Sequence, residues 1–410
     1  MKPVRRGTPD FLLLFLSLAL VAFGLLMVFS ASSMTAVTDW GDPWYYVKKQ
    51  AIAIFLGMLG MVVAMNIHYS RMKKWVLPAF FACLILLVLV PFFGTGPKGM
   101  GVHSWFRVGP FNLQPSEFAK LGVILYLALY ITRKGEKFRE WKGGLFPALI
   151  MLGFIALLIM LQPDMGSCVI LVLSAFVVIV AGGARMKHLF GIAVAAAAIV
   201  SLMLGMNSLR GSEESDYRLD RFTAFLNPFS DENGIGYQLV QSLYAFGHGG
   251  ITGAGFGQSI QKLHYLPEPH NDFIFAIIGE EFGFIGSCLF LLVFVFFLWR
   301  GILVSVRCKD QFSMLVGIGV MGMFGIQAFV NIGGVTGAIP MTGVTLPFIS
   351  YGGSSVIATL LSTGVMLGIS REQNKQDAAD KPEQPERQEP GPEQPQRSAY
   401  TRPAARHYSK

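Results

Sequence analysis

The 410 residues are 53% hydrophobic and only 14% charged, whereas a soluble domain carries roughly 25% charged residues, so a water-facing globule is excluded. The net charge of +8 is spread in short basic clusters between apolar blocks, which fits topology determinants rather than nucleic-acid binding. Cys83, Cys168, Cys288 and Cys308 show neither CxxC nor paired spacing, and the histidines show no HExxH, which leaves no disulfide framework or zinc motif.

Apolar blocks of about twenty residues predict an all-α polytopic membrane protein with about ten transmembrane helices. The spans are roughly 11–31, 48–66, 75–93, 115–132, 145–161, 166–183, 187–206, 273–299, 312–332 and 347–369. The first follows Lys2, Arg5 and Arg6 but is too long for a signal h-region, so it reads as a retained helix. The fifth and sixth are split only by Leu161-Gln162-Pro163-Asp164-Met165, where proline ends one helix and starts the next. With the N-terminus inside, four connections become cytoplasmic: Arg71-Met72-Lys73-Lys74, Arg133 to Lys142, Arg185-Met186-Lys187 and Arg300 to Lys309. All four are basic, so both termini are expected in the cytoplasm.

Two long loops then lie outside, about 94–114 and 207–272, the second between helices 7 and 8. Long ordered loops usually carry function, and Arg218 to Phe225 has spacing suited to a short interfacial helix. Residues 1–370 read as one membrane domain. From 371 to 410 the chain is rich in Pro, Glu, Gln and Arg with almost no large aliphatics, and is expected to be a disordered cytoplasmic tail.

Ionisable residues at the edges of lipid-buried helices are costly and usually face a polar cavity with partners. In Gln114-Pro115-Ser116-Glu117-Phe118-Ala119-Lys120, Glu117 and Lys120 are three apart and share a helix face. They read either as a self-satisfied ion pair or as the wall of a substrate cavity. Asp164 in the tight hairpin reads as a turn cap or as a ligand for a phosphate-bound metal. Leu266-Pro267-Glu268-Pro269-His270-Asn271-Asp272 approaches the eighth span in extended form. Asp272 at its end reads as an N-cap or as a general base, partial desolvation making it a better base; Glu280 and Glu281 lie two turns further in. From Asn331 to Ser355 the chain has many Gly and Pro residues and ends in Ser350-Tyr351-Gly352-Gly353-Ser354-Ser355. Such breakers at membrane depth belong where irregular backbone lines a cavity or where helices pack closely. The run GGITGAGFG, Gly249 to Gly257, lacks a preceding strand and reads as a turn or re-entrant segment, not a dinucleotide site.

The blocks WFRVGPFNLQPSEFAK, QPDMGS, GYQLVQSLYAFGHGG through LPEPHNDFIFAIIGEEFGFIG, and NIGGVTGAIPMTGVTLPFISYGGSS together resemble the SEDS family, the FtsW, RodA and SpoVE proteins, over about residues 10 to 370. Thr345 before Leu346-Pro347 is similar to the FtsW and SpoVE pattern. Asn271 and Arg107 depart from the family's usual residues without touching its charged positions. The resemblance implies an inverting peptidoglycan glycosyltransferase in the bacterial cytoplasmic membrane. Such an enzyme polymerises lipid II into β-1,4 glycan strands on the outer face during cell division or sporulation. It also implies that Asp272 is the catalytic base and that Glu117 and Lys120 are the cavity pair. Trp105, Arg218, Arg221, Ser354 and Ser355 are expected in the same cavity. Lys120, Arg218 or Arg221, or a divalent cation such as Mg or Mn, would stabilise the diphosphate leaving group. The implied partners are a class B penicillin-binding protein (transpeptidase) and other divisome membrane proteins. A lipid II flippase and a non-enzymatic divisome scaffold are the alternatives. The long outer loop ending in Asp272 favours the enzyme.

Overall fold

The computed structural model describes residues 7–96, 104–109, 111–191, 225–231 and 236–379. The principal helices are α1 Phe11–Trp40, α2 Tyr45–Asn66, α3 Tyr69–Phe93, α4 Pro115–Lys134, α5 Phe146–Met160, α6 Met165–Ala181, α7 Tyr237–Gly249, α8 Ile274–Val306, α9 Gln311–Val335 and α10 Gly353–Ala379. Seven segments are long and apolar enough to cross a membrane, those of α1, α2, α3, α8, α9, α10 and Trp141–Met160 ahead of and including α5. α6 is a shorter apolar helix, and α4 spans 20 residues but carries Glu117, Lys120, Arg133 and Lys134. The span expected at 187–206 begins as helix at Met186 to Gly191, and the rest of it lies outside the described residues.

Helix ends follow local chemistry. The Asp10 carboxylate caps α1 by accepting from Leu13 N at 2.9 Å, Asp164 caps α6 from Ser167 N at 3.0 Å, and Asp310 caps α9 from Ser313 N at 3.0 Å. Pro115 occupies the first turn of α4, where a missing N–H costs nothing. Two helices run past their expected ends, α1 to Trp40 and α8 to Val306. Hydrophobicity marks where a helix leaves lipid and not where its hydrogen bonds stop. α10 likewise runs to Ala379, nine residues past the boundary expected at 370. Its extension is tied down: Arg371 donates to Gly7 O and Asn66 Oδ1, and Asn374 to Thr8 O. At the other end, α10 starts at Gly353 and not near 347, because residues 340–352 are irregular.

Two features were not foreseen. Residues 104–114 contain a small antiparallel hairpin, β1 Phe106–Val108 with β2 Phe111–Leu113, the one strand pair among the described residues. The long loop 207–272 contains α7, packed on α8; the helix expected at Arg218 to Phe225 lies almost wholly outside the described residues.

α9 and α10 are the most buried spans, and α3 is the least. α2 and α10 form the most extensive helix pair. Small residues permit their approach: a side chain on Gly364 would meet Met61 O at 2.5 Å, and one on Gly57 would meet Ile357 Cα at 3.2 Å. α8 is broken at Gly283 (φ 66°, ψ −166°). Segment 249–255 docks into the break, with Phe284 N donating to Gly250 O at 2.9 Å and Ala254 N to Glu280 O at 2.9 Å. A side chain at Gly283 would strike Gly253 N at 2.3 Å, so only glycine satisfies both the backbone sign and the contact. The Gly-rich run is thus a turn locked onto a helix.

The end of the bundle opposite the polar cluster described below is clamped by Arg300, whose guanidinium donates to Asp10 Oδ2 at 2.6 and 3.1 Å while Ser370 Oγ accepts from Asp10 N at 3.0 Å. One residue therefore joins three helices, its carboxylate binding α1 and α8 and its backbone N–H binding α10. Asp10→Ala is expected to cost about 2 kcal/mol through the lost cap and charged hydrogen bonds. Asp10→Asn, which keeps the cap, should lose roughly half as much. Thermal unfolding of the detergent-solubilised protein measures both.

Candidate functional site

One turn into α4, Lys120 is 1% exposed and Glu117 8%. An ammonium so buried requires an anion and further acceptors. Lys120 Nζ lies 2.8 Å from Glu117 Oε1 and 3.3 Å from Gln327 Oε1 on α9. Gln327 passes the link on, its Nε2 donating to Thr345 O at 3.0 Å and to Thr345 Oγ1 at 3.3 Å. Thr345 Oγ1 is 2.9 Å from Ser355 Oγ on α10.

The hairpin enters beside this chain. Ser354 Oγ donates to Asn112 O at 2.9 Å and accepts from Gln114 N at 2.9 Å. Asp164 Oδ2 accepts from Gln114 Nε2 at 2.9 Å and Ser116 Oγ at 3.2 Å, while Oδ1 holds the α6 cap. The turn-cap reading of Asp164 is thus realised, and both its oxygens are engaged. Among the described residues no group of three or more His, Cys, Asp or Glu converges to hold a metal. The residues present therefore do not form a divalent-ion site around Asp164.

Asp272 stands two residues before α8. Its side chain is largely enclosed by protein yet keeps accessible surface. Its loop is clasped on two sides. His270, 1% exposed, lies between the rings of Tyr46 (4.4 Å) and Tyr351 (5.3 Å), and its carbonyl accepts from Tyr351 N at 2.9 Å. On the other side Asn331 donates to Asp272 O at 2.7 Å. Asp272 Oδ2 would lie 3.5 Å from a side chain at Gly343, whose φ of 69° places the irregular segment against the carboxylate. Burial, and then the negative charges of Glu268 and Asp164, push the Asp272 carboxyl up to about 6. Burial also holds His270 down at about 4, so its imidazole is neutral at physiological pH. Glu268 is raised by burial and by Asp39.

Glu117, Lys120, Asp164, Ser354 and Ser355 are thereby joined in one polar network, with Asp272 tied to the same segment through its backbone. Trp105 is half-buried, and its backbone pairs with Thr95, so its clear role is to anchor the hairpin. Arg218 and Arg221 lie outside the described residues. Glu280 and Glu281 belong to a different network. Glu280 accepts from His248 Nδ1 at 2.9 Å, from Ser259 Oγ and from Ile260 N at 2.8 Å. Glu281 pairs with Lys262 Nζ at 3.1 Å and accepts from Ser30 Oγ. Both carboxylates pin the 250–262 loop. Gln327 escaped the sequence reading altogether. The signal that finds it is a pair of amides four apart, Gln327 and Asn331, in an otherwise apolar helix.

Residues 10–375 match the cell cycle protein family of FtsW, RodA and SpoVE. The chain belongs to this family. It is 42% identical over 371 residues to stage V sporulation protein E of Bacillus subtilis, covering 90% of this chain and 98% of that one. It is 40% identical over 369 residues to the probable peptidoglycan glycosyltransferase FtsW of Trichlorobacter lovleyi, covering 90% and 95%. Among solved structures, a chain from work on structural coordination of polymerization and crosslinking by a peptidoglycan synthase complex superposes with TM-score 0.71 at 28% identity, covering 89% of this chain and 98% of that one. This FtsW/RodA/SpoVE-family chain is a multi-pass membrane protein of the bacterial membrane.

The ion pair of this family member is open to a stability test. Lys120→Met leaves Glu117 charged and buried, and is expected to cost about 3 kcal/mol. The double substitution Glu117→Gln/Lys120→Met should recover most of that loss in chemical denaturation of the detergent-solubilised protein.

Proposed function

We propose that the chain is an inverting glycosyltransferase that polymerises lipid II into β-1,4 peptidoglycan strands. The observation that carries this reading is Asp272, a largely enclosed but partly exposed carboxylate whose backbone Asn331 ties to the 344–345 segment, which Gln327 in turn links to the buried Lys120–Glu117 pair. The names of the relatives support the reaction class. The basic clusters at the opposite ends of the helices support placing Asp272 on the outer face.

In the proposed reaction the donor sugar is α-linked through C1 to a lipid diphosphate. Asp272 removes the proton of the acceptor 4-hydroxyl as that oxygen attacks C1 from the opposite face. The C1–O bond breaks, the electron pair leaves with the diphosphate, and the new linkage is β. Base assistance of this kind contributes about 10²–10⁴-fold. Among the described residues, Lys120 uses two of its three N–H donors on Glu117 and Gln327. At 1% exposure Lys120 does not touch substrate; as a desolvated cation it would counter developing charge through its field. Ser354 and Ser355 belong to the hydrogen-bonded groups that lead to Lys120; with Trp105 they are the proposed substrate-contacting residues, and Arg218 and Arg221 the proposed cations for the diphosphate. A divalent cation such as Mg or Mn, if bound, would take its ligands mainly from the substrate diphosphate and water, since the described residues offer no convergent set. A class B penicillin-binding protein is the proposed partner, supported by the likeness to a chain of a complex that couples polymerization and crosslinking. Other divisome membrane proteins are the further expected partners.

Asp272→Asn is expected to lower the rate of glycan formation from purified lipid II at least about 100-fold. Expression and partner binding should be unchanged. Full polymerisation by that variant, or lipid translocation unaffected by it, returns the flippase reading. The pH profile follows from the raised carboxyl. A base works only when ionised, so the rate should fall with decreasing pH through an apparent pKa near 6, by tenfold per pH unit well below it. Initial rates between pH 4.5 and 8 test this.

A further inference from the structure

A buried amide on α9 has a pattern of contacts that packing alone does not require. Asn331 is 3% exposed, and its Nδ2 uses both protons on two separate strands of irregular backbone. One goes to the carbonyl of Asp272 at 2.7 Å, and the other to the carbonyl of Val344 at 2.6 Å. Among the described residues its Oδ1 is buried without a partner. Gln327, one helical turn earlier on the same face, makes the matching bonds to Lys120 Nζ and to Thr345. The two amides therefore hold the ammonium, the 344–345 segment and the backbone of Asp272 in one frame. The Asp272 carboxylate faces the same segment, 3.5 Å from where a side chain at Gly343 would begin. Side-chain donors that fix two backbones at once set the position of whatever those backbones carry.

We infer that Asn331 is a positioning residue for Asp272, with Gln327 setting the same segment against Lys120. Asn331 is too buried to touch substrate, so it acts only through the carboxylate it places. Its geometry explains why an orphaned amide oxygen is kept inside an apolar helix: no smaller or apolar side chain reaches both carbonyls. The inference rests on the reading of Asp272 as the base.

The test compares lipid II polymerisation by the full-length wild type with Asn331→Asp, Asn331→Ala and Asn331→Ser. Asn331→Asp keeps the shape and removes the donors. It is expected to lower kcat about 100-fold, the usual scale for a misplaced catalytic group, while KM for the lipid donor stays within about threefold, as for a loss confined to the transition state. Asn331→Ala adds no charge and lets the loop relax toward water. Its acidic limb should move to lower pH, a change that a merely structural role does not produce. Asn331→Ser keeps one donor and should fall between wild type and Asn331→Ala in kcat. If Asn331→Asp or Asn331→Ala yields no monodisperse protein, Asn331→Ser decides: an intermediate kcat supports the assignment, and an unchanged one overturns it. Wild-type kcat and an unmoved acidic limb in Asn331→Ala overturn it as well. An inactive Asp272→Asn beside fully active Asn331 variants defeats this inference alone, whereas an active Asp272→Asn defeats the reading of the site.

Discussion

The buried ammonium of Lys120 is the constraint on which this half of the molecule depends. A charge cannot be removed from water and left alone, so Glu117 lies at 2.8 Å on the same face of α4, and Gln327 approaches from α9. Gln327 in turn needs acceptors for its own donors and finds them at Thr345. Thr345 reaches Ser355, whose neighbour Ser354 holds the hairpin strand leading into α4. The network closes on itself between two stretches far apart in the chain, β2 with α4 and α9 with the segment leading into α10. Each link satisfies a group that lipid could not.

The same rule governs the irregular segment between α9 and α10. Backbone that leaves the helix at depth must be satisfied by side chains. Asn331 takes the carbonyl of Val344, Ser350 Oγ accepts from Leu346 N at 2.7 Å, and Gln50 on α2 bonds both Ser350 O and Gly352 N. Phe348 adopts φ 69°, a region costly for a bulky residue. It is held there by edge-to-face contacts with Phe297 at 5.2 Å and Phe324 at 5.4 Å. These groups keep the segment fixed, with Gly343 facing the Asp272 carboxylate. A rigid polar wall beside a carboxylate of raised pKa is what preorganised base catalysis needs, because the carboxylate is placed before the acceptor arrives. The second carboxylate network, of Glu280 and Glu281, has the complementary task. It ties the 250–262 loop to α8 and so fixes the start of the approach to Asp272.

Much of this was legible in the chain itself. Apolar blocks located the spans, because lipid demands unbroken hydrophobicity over a fixed thickness. Pro115 and Asp164 marked helix starts that the structure realises. The spacing of Glu117 and Lys120 gave their pairing, a local property of one helix. The GGITGAGFG run was readable as a turn, because no strand preceded it. α7 was not legible, since Tyr237–Gly249 is amphipathic and too short to read as a span. Nor were the true ends of α1, α8 and α10, which are set by hydrogen bonds and tertiary anchors such as Arg371 on Gly7 and Asn66.

What the sequence by itself determined was a polytopic helical protein, its approximate spans, and a set of charged or broken positions that had to avoid lipid. Those conclusions need only local periodicity and the cost of burying charge. Only the tertiary structure decided which positions meet. Gln327 and Asn331 became the bridge between Lys120 and Asp272 because α9 is packed among α4, α6 and α8. Glu280 and Glu281 were drawn away from Asp272 because the break at Gly283 let the glycine-rich segment dock on their helix. Partner choice among buried polar groups is a property of helix packing, which no spacing along one helix encodes.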